Sequence, residues 1–187
     1  MDKRIEKTRK ALHAAFWQLR ARKSLRDIKI SELCQAAEVN KTTFYAHYQN
    51  IYELSEDVEK QLLYKVVSDI PRDQDYTFEN TANYTIEVTR AFERHRKELE
   101  ILFRDSGVSH LGAYLEQAVK SAIFGKYPHL KNNGEMNLVL SYCIHGAFNA
   151  SVSNPDVPFE TRLAVLETIL QALQPVMKQI QPLQSEL

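Results

Sequence analysis

Apolar side chains recur along this chain at spacings of three and four residues, which is the period of an amphipathic α-helix. In the first stretch of this kind they are Ile5, Leu12, Ala15, Phe16 and Leu19. Alternation of β-branched and polar residues, which would indicate strands, is scarce, and the chain has only five glycines and six prolines. The pattern therefore predicts an all-α protein.

Polar interruptions divide this pattern into nine predicted helices. They span about 3–23, 31–37, 41–48, 51–70, 78–94, 96–105, 108–127, 135–153 and 159–179, with a connector at 24–29. Ser31, Asn40 and Asn50 precede helical runs and are suitable N-caps, because a short oxygen-bearing side chain accepts from the first amides. Glu53, three residues after Asn50, completes a capping box. The polar loop PRDQDYT is the strongest boundary, which gives domains at 1–50 and 71–187 joined by a helix at 51–70.

The two short helices at 31–37 and 41–48 are joined by a three-residue turn and flanked by longer helices, which is typical of a helix-turn-helix. On a helical wheel, Phe44 and Tyr48 of the second short helix point inward together. The opposite face carries Thr42, Thr43, Tyr45 and Ala46. A helix with short polar side chains outward fits a DNA major groove, where it must approach base edges closely.

Flanking positions of the same helix suit phosphate contacts. Tyr45 and His47 lie at its sides, and Lys41 adds positive potential at its N-terminus. The alternative is an ordinary αα-hairpin of a helical bundle, in which Thr42 and Thr43 are indifferent surface residues.

The formal net charge of zero conceals an uneven distribution of charge along the chain. Residues 1–50 contain 11 lysines and arginines against 5 aspartates and glutamates, whereas residues 51–187 contain 13 against 19. A basic first segment on an acidic remainder indicates that the first segment binds a polyanion.

The segment IKISELCQAAEVNKTTFYAHYQNIYEL resembles the DNA-binding domain of the TetR (tetracycline-repressor-like) family of bacterial transcriptional regulators. The family core TFY-H-F/Y, followed by an acidic-Leu start to the next helix, is matched by Thr43-Phe44-Tyr45, His47-Tyr48 and Glu53-Leu54. The resemblance covers roughly residues 5–55. It implies an N-terminal three-helix helix-turn-helix domain followed by a helical C-terminal ligand-binding and dimerisation domain.

The resemblance also implies which residues meet DNA. Base or phosphate contacts are expected from Lys41, Thr42, Thr43 and Tyr45, backbone contact from His47, and phosphate contacts from Lys29 and Ser31. Three positions depart from the family: the usual turn glycine is Glu38, a frequent basic residue is Ala46, and a frequent lysine is Ile51. Each departure lowers electrostatic affinity, so either specific contacts or the basic residues of the first helix gain importance. Glu38 must also adopt whatever φ the turn demands.

The last two predicted helices are apolar on more than one face, and such a helix must be covered on more than one side. We expect one face to pack within the chain and another to pack on a second subunit. The family resemblance implies the same homodimer, through a four-helix bundle. The expected interface residues are Cys143, Ala147, Ala150, Leu166, Leu170 and Leu173.

Aromatic and polar residues gather in the middle helices, where the family encloses a small effector. The resemblance implies a pocket containing Tyr84, Phe103, Tyr114, Tyr142 and His145. The alternative is that these are ordinary core residues, and nothing in the sequence identifies the effector.

No pattern in the sequence indicates catalysis, so we expect no enzyme, no metal site and no cofactor. The six histidines lack metal-ligand spacing, and no phosphate loop or nucleophile elbow occurs. Cys34 and Cys143 are expected to be reduced core thiols rather than a disulfide or metal site. No apolar run is long enough to span a bilayer, and the charged start MDKRIEKTRK precedes no segment of signal-peptide type. A cytoplasmic protein without membrane contact is expected.

The sequence thus predicts a DNA-binding transcriptional regulator that binds a palindromic operator in double-stranded DNA as a homodimer and responds to a small molecule, most simply a repressor. An activator or co-regulator with the same domain is one alternative. A helical ligand- or partner-binding protein with a vestigial helix-turn-helix is the other.

Overall fold

The computed structural model describes residues 3–71, 81–104 and 108–180. Regular structure in these ranges consists of nine α-helices and two short 3₁₀ turns without any strand, which confirms the predicted all-α class. The helices are α1 (Lys3–Arg20), α2 (Ile30–Ala36), α3 (Lys41–His47), α4 (Ile51–Ser68), α5 (Thr81–Arg94), α6 (Arg96–Phe103), α7 (Val108–Lys126), α8 (Gly134–Ser153) and α9 (Phe159–Ile180). The predicted start of the fifth helix, 78–80, lies outside the described residues.

The helix caps agree with the prediction at two of three positions. The side chain of Asn40 accepts from Thr43 N at 2.7 Å, and that of Asn50 accepts from two amides of α4 at 2.9 and 3.0 Å. Glu53 reaches back to the amide of Gln49 at 2.6 Å. The predicted Ser31 cap is wrong, because α2 begins one residue earlier and Lys29, with extended backbone, occupies the N-cap position.

The chain forms two compact units whose division differs from the predicted one. One unit contains the described residues up to Tyr64 together with α6 from Lys97, and the other contains the described residues of Lys65–Arg96 together with α7–α9. Helix α6 is grouped with the first unit from Lys97 onward, and its Leu99 and Leu102 are buried. The buried guanidinium of Arg20 also donates to the backbone oxygen of Leu102 at 2.8 Å.

The core of the first unit is built from the apolar stripes of its helices. Its fully buried side chains are Leu12, Phe16, Leu33, Phe44 and Leu54. Burial of each such side chain contributes about 1.5–3 kcal/mol relative to exposure. An ion pair joins the segment after α1 to α2, since Lys23 Nζ contacts both carboxylate oxygens of Glu32 at 2.7 and 2.8 Å.

The core of the second unit lies among α5, α7, α8 and α9. It includes four of the residues expected at a subunit interface, namely Cys143, Ala147, Leu166 and Leu170. These four are buried within a single chain, so their burial needs no partner, and their place at a subunit interface stays a prediction. Leu173 is half-buried against the pair Cys143 and Leu170, whereas Ala150 is exposed.

Helices α8 and α9 keep large apolar side chains on their outer sides. Leu138 and Tyr142, one turn apart on α8, are 73% and 69% exposed. Val165 and Ile169, one turn apart on α9, are 53% and 48% exposed. Among the described residues, no helix is long and apolar enough to cross a membrane.

Candidate nucleic-acid interface

Helix α3 is held by its inner face. Phe44 is fully buried and Tyr48, the residue that ends the helix, is 6% exposed, as the helical wheel predicts. The rings of these two residues pack together with centroids 6.0 Å apart. A helix of seven residues has few other contacts to fix it, so these two aromatic anchors determine which side of α3 faces outward.

The outer face of α3 is small, polar and accessible. Lys41, Thr42, Tyr45 and Ala46 are exposed, and His47 is half-buried at the edge. Thr43 is also half-buried, and its hydroxyl donates to Asn40 Oδ1 at 2.9 Å. The outer surface therefore presents one cation, one aliphatic hydroxyl, two methyl groups and one phenol.

Basic residues lie exposed along the chain before and at the start of α3. Arg22, Arg26, Lys29 and Lys41 are exposed, and none forms an ion pair with a described residue. Ser31, in the first turn of α2, is exposed as well. Cations that make no internal pair keep their full charge available for a polyanion.

The turn between α2 and α3 contains a strained residue. Glu38 has a φ of 54°, in the left-handed region that costs most residues other than glycine about 1–2 kcal/mol. Its carboxylate is exposed. The departure from glycine noted in the sequence thus falls on a position whose backbone conformation favours glycine.

A polar cluster behind α3 was missed in the sequence. Arg9 Nε, His13 Nε2 and Tyr48 Oη all lie close to Asp57 Oδ2, at 2.9, 2.9 and 2.7 Å. Arg9 Nη2 also pairs with Asp57 Oδ1, and His13 Nδ1 lies 3.1 Å from Gln61 Oε1. The cluster therefore joins α1, the end of α3 and α4 within the first unit.

Charges and hydrogen bonds in this cluster shift the pKa of its members. Partial burial opposes ionisation of Asp57, but hydrogen bonds from Arg9 and Tyr48 outweigh it and lower the pKa of that carboxyl. Burial lowers the pKa of His13, and the neighbouring carboxylate of Asp57 only partly offsets this. Burial and the bond to Asp57 raise the pKa of Tyr48. At neutral pH the cluster thus holds an ionised aspartate, a cationic arginine and a neutral phenol.

A sequence signal for this cluster does exist. Arg9 and His13 are spaced i,i+4 beside the apolar stripe of α1, and Asp57 and Gln61 are spaced i,i+4 beside that of α4. Such polar pairs lie on one helix face. Two of them on neighbouring helices indicate a polar seam, although the sequence does not show which pair faces which.

The residues expected around an effector have different surroundings. Phe103 is buried in the first unit, whereas Tyr114, Tyr142 and His145 belong to the second. Tyr142 is 69% exposed and Tyr114 is half-buried. The side chain of Tyr84 lies outside the described residues. The predicted set is therefore divided between the two units, and its grouping around an effector stays a prediction.

His145 instead joins a polar cluster between α7 and α8. Glu116 Oε2 lies 3.0 Å from His145 Nε2, Oε1 lies 2.7 Å from Lys120 Nζ, and the hydroxyl of Ser141 donates to the same carboxylate. Hydrogen bonds from Lys120, Ser141 and His145 lower the pKa of Glu116 to about 2. Gly112 leaves room for the imidazole, because a Cβ there would lie 3.1 Å from His145 Nδ1.

No known family model matches the chain, and no curated protein matches it either. The described residues contain no group of three or more histidine, cysteine, aspartate or glutamate side chains that could hold a metal ion. Cys34 and Cys143 are both buried thiols outside any disulfide. A functional assignment must therefore come from the surface and geometry of the first unit.

Proposed function

We propose that this protein is a sequence-specific DNA-binding transcriptional regulator whose helix α3 enters the major groove. The observation that carries the proposal is the division of α3 into an inner face with Phe44 and Tyr48 buried and an outer face with Thr42 and Tyr45 exposed. Short polar side chains on an exposed helix suit base-edge contact, and the thymine methyl is a natural partner for a threonine methyl. The TetR-like segment at 28–54 supports the same function.

The electrostatics of the first unit support phosphate binding beside α3. Exposed, unpaired cations at Arg22, Arg26, Lys29 and Lys41 fit the role of backbone-positioning residues. Tyr45 and His47 at the sides of α3 add a phenol and an imidazole at the positions expected to meet the phosphate backbone.

A homodimer is part of the proposal. The exposed apolar side chains Leu138, Tyr142, Val165 and Ile169 lie on α8 and α9, which form one edge of the second unit's core. Exposed large apolar side chains one turn apart on each of two packed helices support an interaction face there. A twofold dimer would present two copies of α3, so the operator would be a near-palindrome.

Regulation by a small effector completes the proposal, with repression as the simplest outcome of operator binding. A ligand bound in the second unit would alter DNA affinity through α4, because that helix runs through both units. Such coupling is reciprocal, so DNA would change ligand affinity by the same factor.

Selection of duplexes from a random DNA pool by the full-length protein tests the proposal. We expect a near-palindromic consensus whose binding constant falls by about 0.9 log unit per log unit of salt for each phosphate neutralised. Tyr45→Ala should weaken binding to that duplex while the protein stays dimeric. Tyr64→Ala is the matched control, since Tyr64 is 73% exposed in the same unit but lies on α4.

Failure to enrich any duplex, together with salt-independent retention of DNA, would refute the proposal. That result would favour the helical ligand- or partner-binding protein with a vestigial helix-turn-helix. Enrichment with equal binding by Tyr45→Ala and the parent would instead refute the assigned surface.

A further inference from the structure

The carboxylate of Asp57 is the meeting point of three elements of the first unit. On one side it binds the guanidinium of Arg9 through both of its oxygens, and on the other it accepts from Tyr48 Oη at 2.7 Å. His13 Nε2 lies 2.9 Å from both Asp57 Oδ2 and Tyr48 Oη. A single side chain on α4 thus contacts two residues of α1 and the residue that ends α3.

Tyr48 connects this carboxylate to the recognition surface. It is the C-cap of α3, its amide bonds to Phe44 O, and its ring packs on the buried ring of Phe44. The phenol hydroxyl reaches past these contacts to α4. Rotation or tilt of α3 would move Tyr48 and break a hydrogen bond to an ionised carboxylate, a type of bond stronger than one between neutral groups.

We propose that Asp57 is the positioning residue of the recognition helix, holding α3 against α1 and α4 in the one orientation that reads DNA. This inference rests on the proposed function. Asp57 lies behind α3 and needs no contact with DNA, so it acts through Tyr48, with Arg9 and His13 fixing the carboxylate itself. Side chains that support a binding group in this way set how precisely that group is placed.

Two variants with the same change in net charge distinguish a positioning role of Asp57 from a purely electrostatic one. Removal of any carboxylate raises the net charge of the first unit by one, which by itself should tighten DNA binding. Glu56, the residue before Asp57, is exposed, and its one ion pair within the described ranges is with Lys60, one turn away at 2.7 Å. Glu56→Gln and Asp57→Asn therefore change the net charge equally. Only Asp57→Asn replaces the ionised acceptor of Arg9 and Tyr48 with a neutral amide, which has one accepting oxygen where the carboxylate has two.

The test uses the full chain and two labelled duplexes, the one obtained by selection and a scrambled duplex of equal length and composition. For Asp57→Asn and for Tyr48→Phe we expect the ratio of selected to scrambled affinity to fall by about tenfold or more, the scale of one hydrogen bond to a charged group. Glu56→Gln should tighten binding to both duplexes and leave the ratio within about twofold. Tyr64→Phe removes the same hydroxyl at an exposed position and should change neither affinity.

A second readout needs no DNA. Amide hydrogen exchange of residues 41–47 should be faster in Asp57→Asn and Tyr48→Phe than in the parent, while Glu56→Gln and Tyr64→Phe match the parent. Asp57→Glu, which keeps the carboxylate, should restore part of both the affinity ratio and the protection. Simple loss of folding would lower both affinities together and expose all helices of the unit, so it is distinguished from a positioning role.

Two results would overturn the inference. One is an affinity ratio for Asp57→Asn equal to that of Glu56→Gln, and the other is unchanged exchange at residues 41–47 in Asp57→Asn. If the parent itself binds no duplex selectively, the proposed function fails, and the exchange experiment still decides whether Asp57 positions α3.

Discussion

The side-chain oxygen of Asn40 accepts two hydrogen bonds from Thr43, one from the backbone amide at 2.7 Å and one from the hydroxyl at 2.9 Å. A hydroxyl has one proton to donate. In this arrangement Thr43 therefore contributes to the cap of α3, and what it offers DNA is its methyl group and the lone pairs of its oxygen.

Two single-group changes at Thr43 separate these roles. Thr43→Val keeps the methyl and loses the hydroxyl, so the free energy of unfolding should fall by about 0.5–1 kcal/mol while DNA affinity stays within about threefold. Thr43→Ser keeps the hydroxyl and loses the methyl, so stability should be nearly unchanged while affinity falls by about three- to tenfold. Urea denaturation and fluorescence anisotropy with the selected duplex measure the two quantities. Greater loss of affinity in Thr43→Val than in Thr43→Ser would show that the hydroxyl reads DNA.

Replacement of Glu38 by glycine should stabilise the folded protein. Its φ of 54° is strained for a side chain but not for glycine, so Glu38→Gly should raise the free energy of unfolding by about 0.5–1 kcal/mol after the entropy cost of glycine. Glu38→Gln keeps the strain and removes only the charge.

The two variants at Glu38 should therefore differ in stability and agree in DNA binding. Both lose one exposed negative charge, so both should bind the selected duplex about two- to fivefold tighter at low salt. Thermal or urea denaturation measures the first effect and anisotropy the second. Equal stability of the two variants would mean that the turn relaxes at no cost.

Local signals in the sequence are sufficient for the helices and for two of the three predicted caps. Asn40 and Asn50 are predictable as caps because capping depends on a few neighbouring residues, whereas the Ser31 cap is wrong because α2 begins one residue earlier, after the extended Lys29. The outer face of α3 followed from helical period alone. These features need no knowledge of the tertiary structure.

Features that depend on which helices contact each other cannot be predicted from the hydrophobic pattern. The pattern shows that α8 and α9 are apolar on several faces, but it does not show which face stays exposed. It therefore does not reveal that Cys143 and Leu170 lie in the chain's own core. In the same way, Asp57 gains its role from Arg9 and Tyr48, which lie 48 and 9 residues away. The association of α6 with the first unit likewise depends on tertiary contacts such as that of Arg20 with Leu102.

The cluster around Glu116 should make stability depend on pH. The pKa of Glu116 in the folded protein is about 2, below the ordinary 4.5. The cluster therefore contributes stability above about pH 4.5 and loses this contribution as the pH falls toward about 2. The side chain is a quarter exposed, so we expect a contribution of about 1–2 kcal/mol at neutral pH.

Glu116→Gln isolates this effect from other carboxylates. The difference in unfolding free energy between parent and variant should be largest at pH 6–7 and shrink steadily below about pH 4.5. Glu160→Gln, an exposed carboxylate at the start of α9, is the control and should show a small difference. Urea denaturation at several pH values gives the measurement, and a difference that does not change with pH would contradict the assignment.

Two adjacent residues of α9 lie on different apolar surfaces of that helix, one exposed and one buried. Ile169 is 48% exposed and Leu170 is 4% exposed. Ile169→Glu should leave the helical circular dichroism spectrum unchanged and weaken the proposed dimer at least about tenfold, because it places a charge on an apolar face. Leu170→Ala should lower the free energy of unfolding by about 2–5 kcal/mol, because it leaves a cavity in the core. Analytical ultracentrifugation and urea denaturation measure the two effects. A dimer that Ile169→Glu leaves as tight as in the parent would place the subunit interface away from this face.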